Sequence, residues 1–228
     1  MDNQLLALLQ LGDSSFPSGA FSHSYGLETY IQEGTIYDKE SFFQWARVYL
    51  EKQLAFTDGL ASRLALEALT KNEVDDIWKL DQKLYAQNLP EEARQANRRI
   101  GERLIKMGIE LYAIPLLGEY LKKIRTKEVF GHPALVFMMM CDFLKINKHQ
   151  AILTYLYSTI VTLVQNGVRG IPLGQTAGQR ILLELQPYLV QTVKRIEMLD
   201  SDDLGAAAPG IEIAQMRHER LHVRLFMS

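Results

Sequence analysis

One cysteine, Cys141, stands in 228 residues. A single thiol excludes an internal disulfide and any cysteine-based zinc cluster within one chain, and it fits a reducing, cytoplasmic setting. Neither sign of charge dominates. The 25 Lys and Arg against 27 Asp and Glu leave a formal charge of −2, which gives no reason to expect nucleic acid as a partner. Long apolar runs are missing as well. The longest, Ala134 to Cys141, is far short of the roughly 20 residues that a membrane span needs. The start, Met1-Asp2-Asn3-Gln4, lacks the basic region of a signal peptide, and Leu5 to Leu11 has no small-residue cleavage site after it. A soluble chain with no membrane partner is the expectation. No segment alternates apolar and polar residues and no internal repeat is present; Ser158 to Val164 is rich in β-branched residues and could be a strand by propensity alone, but its length and the helix formers before it argue for helix.

The remainder is ordinary globular usage, 47% hydrophobic and 23% charged, in a length that suits one domain able to bury a core without staples. Helical spacing dominates. Ala96, Ile100, Leu104, Met107 and Leu111 recur at steps of four and three and share one face, while Arg98, Arg99, Glu102, Arg103 and Lys106 lie mainly on the other. Ile152, Leu156, Ile160, Leu163 and Val164 repeat the pattern. Asp38 reads as the N-cap of a helix from Lys39, Asn72 as the N-cap of the next, and Pro90-Glu91-Glu92 as the opening of the long basic helix. Pro115 should kink or end that helix, and Gly131-His132-Pro133 should break the chain before an apolar helix at about 134–144. Asn166-Gly167 offers a left-handed cap for the helix at about 148–165. The predicted fold is all-α: one helical bundle over 1–204, then a linker and a C-terminal interaction arm over 205–228.

Several constellations invite a chemical reading. His218-Glu219-Arg220-Leu221-His222 is a literal H-E-x-x-H, which on a helix turns two imidazoles to one side and can share a zinc. A catalytic zinc usually takes three protein ligands, and only six residues follow His222. A basic arm that meets another chain is the preferred reading, with incidental metal binding by the pair as the other. Gly170 to Arg180 carries glycines and a threonine but no G-x-x-x-x-G-K-[ST] order, so it reads as a tight connection with Arg169 and Arg180 exposed. The stretch Asp13 to Glu28 holds serines, an aspartate and His23, without a G-x-S-x-G elbow. There Ser22 is expected to cap a helix that His23 begins. His132 and His149 sit near helix starts, and Met138-Met139-Met140 with Cys141 suits core packing better than a soft-metal site.

Taken in order, these stretches resemble the UreF family of urease accessory proteins, nearly end to end. The resemblance is carried by Leu8-Leu9-Gln10-Leu11, Asp13 through Ser24, Gly26-Leu27-Glu28 and Gly131-His132-Pro133-Ala134. It continues through Asn166-Gly167-Val168-Arg169, Ile171-Pro172-Leu173-Gly174-Gln175, Met216-Arg217-His218-Glu219 and Arg224-Leu225-Phe226-Met227-Ser228. It implies an all-helical, dimer-forming, non-catalytic protein without a cofactor. Its implied partners are the scaffold UreD (UreH in some species), the GTPase UreG and apo-urease, into which nickel is loaded with GTP hydrolysis.

On that footing Arg169 and Arg180, with Ser22 and His23, are candidates for the GTPase face. Arg217, His218, Arg220, Leu221, Arg224, Leu225 and Phe226 are candidates for the scaffold. Arg217, Arg220 and Arg224 against Glu219 give residues 217–228 a charge of 3 − 1 = +2. The Leu221–Leu225 spacing of one helical turn suits docking of a helix in a groove. Deletion after Gly210 is expected to abolish that complex and spare the fold. Tyr157 is a candidate dimer contact, the core being its other place. A metallochaperone that itself holds nickel would draw on His23, His218 or His222.

Overall fold

The computed structural model describes residues 2–206 and 208–227; Met1, Ala207 of the linker and Ser228 of the last family motif lie outside them. The fold is all-α, and no strand occurs among the described residues. After α1 (Asp2–Gly12) an irregular stretch leads through a 3₁₀ turn at Ala20–Ser22 to the short α2 (Leu27–Gln32). A continuous helical rod comes next. It runs as α3 (Lys39–Val48), a π-helical stretch (Tyr49–Gly59) and α4 (Leu60–Lys71). Asp38 caps α3 as expected: its Oδ1 accepts from Ser41 N at 2.9 Å, and Ser41 Oγ accepts in return from Asp38 N at 3.1 Å. Asn72 does not cap the next helix. It closes α4 in the left-handed conformation, φ +58°, a region where Asn is tolerated, and Glu73 precedes α5 (Val74–Gln87).

Pro90 opens α6 (Glu91–Tyr112), which stops at the left-handed Ala113. Pro115 then stands in the first turn of α7 (Pro115–Arg125), where a missing N–H costs nothing. The apolar helix α8 (Pro133–Phe143) is buried on every side from Pro133 to Cys141, including Met138, Met139 and Met140. It is the centre of the molecule, with α4 and α6 against it; a helix without a polar face belongs there. Its entry loop is held by Asp81 of α5, fully buried, which accepts from Tyr120 Oη at 2.5 Å, Phe130 N at 2.5 Å, Gly131 N at 3.1 Å and His132 N at 2.8 Å.

The helix α9 (Lys148–Gly170) runs past Asn166-Gly167 instead of ending there. Gly167 is a packing glycine: a Cβ on it would collide with the Phe42 ring. By length and composition α9 could cross a membrane, and half of that stretch is buried inside the molecule. It packs on α1, α8 and α10 (Gln175–Ile196). A 3₁₀ turn (Ser201–Asp203) and α11 (Pro209–His218) complete the described helices. The C-terminal segment is not a detached arm. Ile211, Ala214, Gln215 and His218 are buried, α11 packs on α2 and α6, and Phe226 is buried as well.

Candidate functional site

Three segments far apart in sequence build one surface. The first is the stretch 13–26. Asp13 Oδ1 accepts from Ser15 N at 2.7 Å and from Ser15 Oγ at 2.5 Å, which folds the stretch back and lowers the Asp13 pKa. Ser22 caps no helix. It ends the 3₁₀ turn, and its hydroxyl donates to Gly19 O at 2.9 Å. The hydroxyl that meets the first turn of α2 belongs to Ser24, which accepts from Glu28 N at 3.4 Å. Tyr25 and Gly26 are both left-handed, φ +52° and +90°, and this reversal lays α2 against α11. A Cβ on Gly26 would press on Ile211 O and the Ala214 and Gln215 side chains. At the tip of the turn Phe21 is 62% exposed.

The second segment is the end of α9. Buried Asn166 donates from Nδ2 to His23 O at 2.7 Å, and Arg169 donates to Phe21 O at 2.9 Å and to Asn166 Oδ1. The third is the segment after α11. Phe226 slides under Arg169, whose guanidinium sits 5.2 Å from the ring centroid, and Met227 N donates to Ser22 O at 2.8 Å. Leu225 and Met227 stay 68% and 53% exposed beside Phe21. The result is an apolar cluster flanked by arginines, the composition that concentrates binding energy in protein interfaces.

An ion cluster, buried at His218 and Glu28 and partly exposed at Glu92 and Arg224, pins the third segment down. His218, with no exposed surface, faces Glu92 Oε2 from Nδ1 at 2.7 Å and Glu28 Oε2 from Nε2 at 2.9 Å. Glu28 also accepts from Leu225 N at 2.6 Å and Phe226 N at 3.1 Å. Arg224 completes the set with Glu92 at 2.6 Å and the carbonyl of Glu219. His23 lies near this cluster and is 4% exposed; burial, then Arg99 and Arg103, push its pKa down to about 4, so its ring is neutral at neutral pH.

The H-E-x-x-H motif does not turn its two imidazoles to one side of a helix. His218 ends α11, Glu219 caps it, and His222 lies exposed beyond the helix. Both nitrogens of His218 are committed to carboxylates. Among the described residues no group of three or more His, Cys, Asp or Glu is placed to hold a metal. Leu221 and Leu225 do not share a helical face either, because residues 219–227 are turns and extended chain.

Behind the surface a cavity of about 150 Å³ reaches the core. Asp58, Tyr25, Tyr49, Tyr155, His132 and Glu212 are in its wall, and no Lys or Arg is. Tyr155 Oη donates to Asp58 Oδ1 at 2.7 Å. Burial and the Asp58 charge raise the pKa of all three phenols, and His132 Nδ1 is buried without a hydrogen-bond partner. The π-helical stretch presents Tyr49, Gln53, Thr57 and Asp58 to this space. No spacing rule reads a π-helix from sequence, which is why the cavity wall stayed hidden there.

Comparison with known proteins decides the family. The UreF family profile matches residues 36–186. The chain is 55% identical over 226 residues to a protein named urease accessory protein UreF from Bacillus sp. (strain TB-90), covering 99% of this chain and 100% of that one. This chain belongs to the UreF family. It is also similar to proteins of the same name from Lachnoclostridium phytofermentans, 52% identical over 228 residues with both chains covered in full, and from Geobacillus kaustophilus, 49% identical over 227 residues with 100% of this chain and 99% of that one covered.

In this UreF chain the residues expected on two separate faces come together. Ser22 meets Met227 and Arg169 meets Phe226 directly, His23 shares Asn166 with Arg169, and Glu28 and Glu92 tie in His218, Arg224 and Leu225. Others stand apart. Arg180 is exposed on α10 and, among the described residues, makes no hydrogen bond or ion pair. Arg217 pairs with Glu33 at 3.1 Å, Arg220 is exposed and Leu221 half-buried. Tyr157 is 39% exposed on α9, the helix on which α1 packs with Leu5, Leu6 and Leu9 turned outward. Glu28 and Glu92 escaped the sequence reading, because a carboxylate that organises a segment remote along the chain carries no local pattern.

Proposed function

We propose that this chain is a non-catalytic, cytoplasmic assembly protein that joins the UreD/UreH scaffold and the GTPase UreG to deliver nickel to apo-urease. The observation that carries this reading is the composite surface: exposed Phe21, Leu225 and Met227 between Arg169 and Arg224, on a backbone fixed by buried hydrogen bonds. A preorganised apolar centre with a cationic rim binds a partner at little cost in ordering. Arg169 and Ser22 make the GTPase side, with His23 buried behind them as support rather than as a contact, and the segment from Arg217 to Phe226 makes the scaffold side. Because the two sides share contacts, one partner's docking stiffens the other's site.

Coupling to GTP then needs only differential affinity. A GTPase's switch loops differ between nucleotide states, and a platform that grips one state better shifts the equilibrium by that difference. The experiment is GTP turnover by the purified GTPase, with and without this chain and the scaffold. Arg169→Ala is expected to weaken GTPase recruitment about tenfold or more, since it removes a charged hydrogen bond and a ring contact, and to leave helicity unchanged. Undiminished co-purification of the GTPase with that variant refutes the assignment.

The second reading is a chain that itself holds nickel through His23, His218 or His222. Equilibrium dialysis of metal-free protein against nickel, with His218→Ala/His222→Ala as control, separates the two.

A further inference from the structure

We propose that His218 is a positioning residue: as an imidazolium held between Glu28 and Glu92 it keeps residues 219–227 in their docking conformation, and on losing that charge it releases them. The proposal rests on the reading of this segment as the scaffold side of the surface.

Donors and acceptors around the ring decide its state. A neutral imidazole has one N–H and one lone pair, and only the imidazolium donates from both nitrogens. Here both face carboxylate oxygens, at 2.7 and 2.9 Å, with no exposed surface on the ring. The charges close only with the proton in place. Glu28 and Glu92 give −2, Arg224 gives +1 and a protonated His218 gives +1, summing to zero. Without that proton a net negative charge stays around the buried His218–Glu28 pair, and a ring lone pair points at a carboxylate, an arrangement unfavourable where the ring has no exposed surface.

Every element around the ring takes part. From α2 come Glu28 and, at its end, Glu33, which is occupied by Arg217. From α6 come Glu92 and, further along, Arg99 and Arg103, which act on His23. The stretch before α2 supplies His23, kept neutral by burial and by the cations near it, His218 among them. The released segment itself supplies Arg224 and the Leu225 and Phe226 amides, all bound to the same two glutamates. Deprotonating one ring therefore loosens all these attachments of the segment together. The docking conformation holds while His218 is protonated and is lost as pH rises through its deprotonation.

The test uses the full chain across roughly pH 6 to 9, the range in which a histidine switch is read. Ring ¹⁵N shifts report the protonation of His218, hydrogen exchange corrected for intrinsic rates reports the Leu225 and Phe226 amides, and surface plasmon resonance reports affinity for the scaffold. Loss of the imidazolium signal, loss of protection at both amides and an affinity fall of about tenfold are expected over the same pH interval, the equivalent of one charged hydrogen bond. His218→Gln is expected to hold the low-pH affinity at the high-pH level. Glu92→Gln, at a partly exposed position that spares the fold, can donate its amide to a neutral ring while its carbonyl keeps Arg224, so its profile is expected to flatten. A ring that stays neutral while the amides stay protected overturns the proposal, as does an unchanged pH profile in Glu92→Gln. Expected ring and amide behaviour with no scaffold binding at any pH overturns the assembly reading instead, and the docking role with it.

Discussion

Asp81 and Glu28 are each more than nine-tenths buried, and each collects backbone amides from a segment remote in sequence. A carboxylate used this way substitutes for secondary structure, because it satisfies several donors of an irregular chain at once. Asp81→Ala leaves the Phe130 and Gly131 N–H groups and the Tyr120 hydroxyl without their acceptor and the His132 N–H with only Tyr120 Oη, and the expected cost is about 3 kcal/mol in urea unfolding. His23 gives a pH prediction of definite sign. Its pKa falls from 6.5 to about 4 on folding, so the unfolded chain takes up the proton first as pH drops. The stability it contributes is whole above about pH 6.5 and is lost progressively down to about pH 4. Urea unfolding at stepped pH checks this, and His23→Gln is expected to flatten that part of the profile.

At the scale of elements, legibility followed periodicity. The helix α6 was readable because its apolar residues keep step along most of its length, and α8 because nothing polar interrupts it from Pro133 to Cys141. Boundaries were readable where Pro or a capping Asp fixes the chain, as at Asp38, Pro115 and Pro133. They failed where one residue type serves two conformations. Asn72 can cap a following helix or close the preceding one, and only packing chooses. Gly167 resembled a terminator but lets α3 approach α9 through Phe42. Gly167→Ala is therefore expected to destabilise by about 1–3 kcal/mol, the cost of overpacking, measured by thermal or urea unfolding. The segment 219–227 was misread for the complementary reason. Its leucine spacing fits a helix, yet the groups that hold it, Glu28 and Glu92, lie on α2 and α6, where no local rule looks.

For the whole molecule, we propose the outward face of α1 beside α9 as the contact with a second copy. Leu5, Leu6 and Leu9 are each more than half exposed, and Tyr157 is on the neighbouring helix. On that proposal light scattering of the unaltered chain gives a dimer and a Leu5→Glu/Leu9→Glu double variant gives a monomer with helicity retained; a monomeric unaltered chain, or an unchanged mass in the variant, overturns it. The candidate site was legible in parts and not as a whole. Arg169, His218 and Phe226 could be named from motifs, but that they meet depends on how the intervening helices close.

The hydrogen bond from Met227 to Ser22 also sets an order of events during synthesis. A ribosome must deliver residue 227 before the early turn around Phe21 acquires its final neighbours. A chain cut before Phe226 is expected to fold most of the bundle and to leave the Ser22 carbonyl and the Arg169 guanidinium without the groups that cover them.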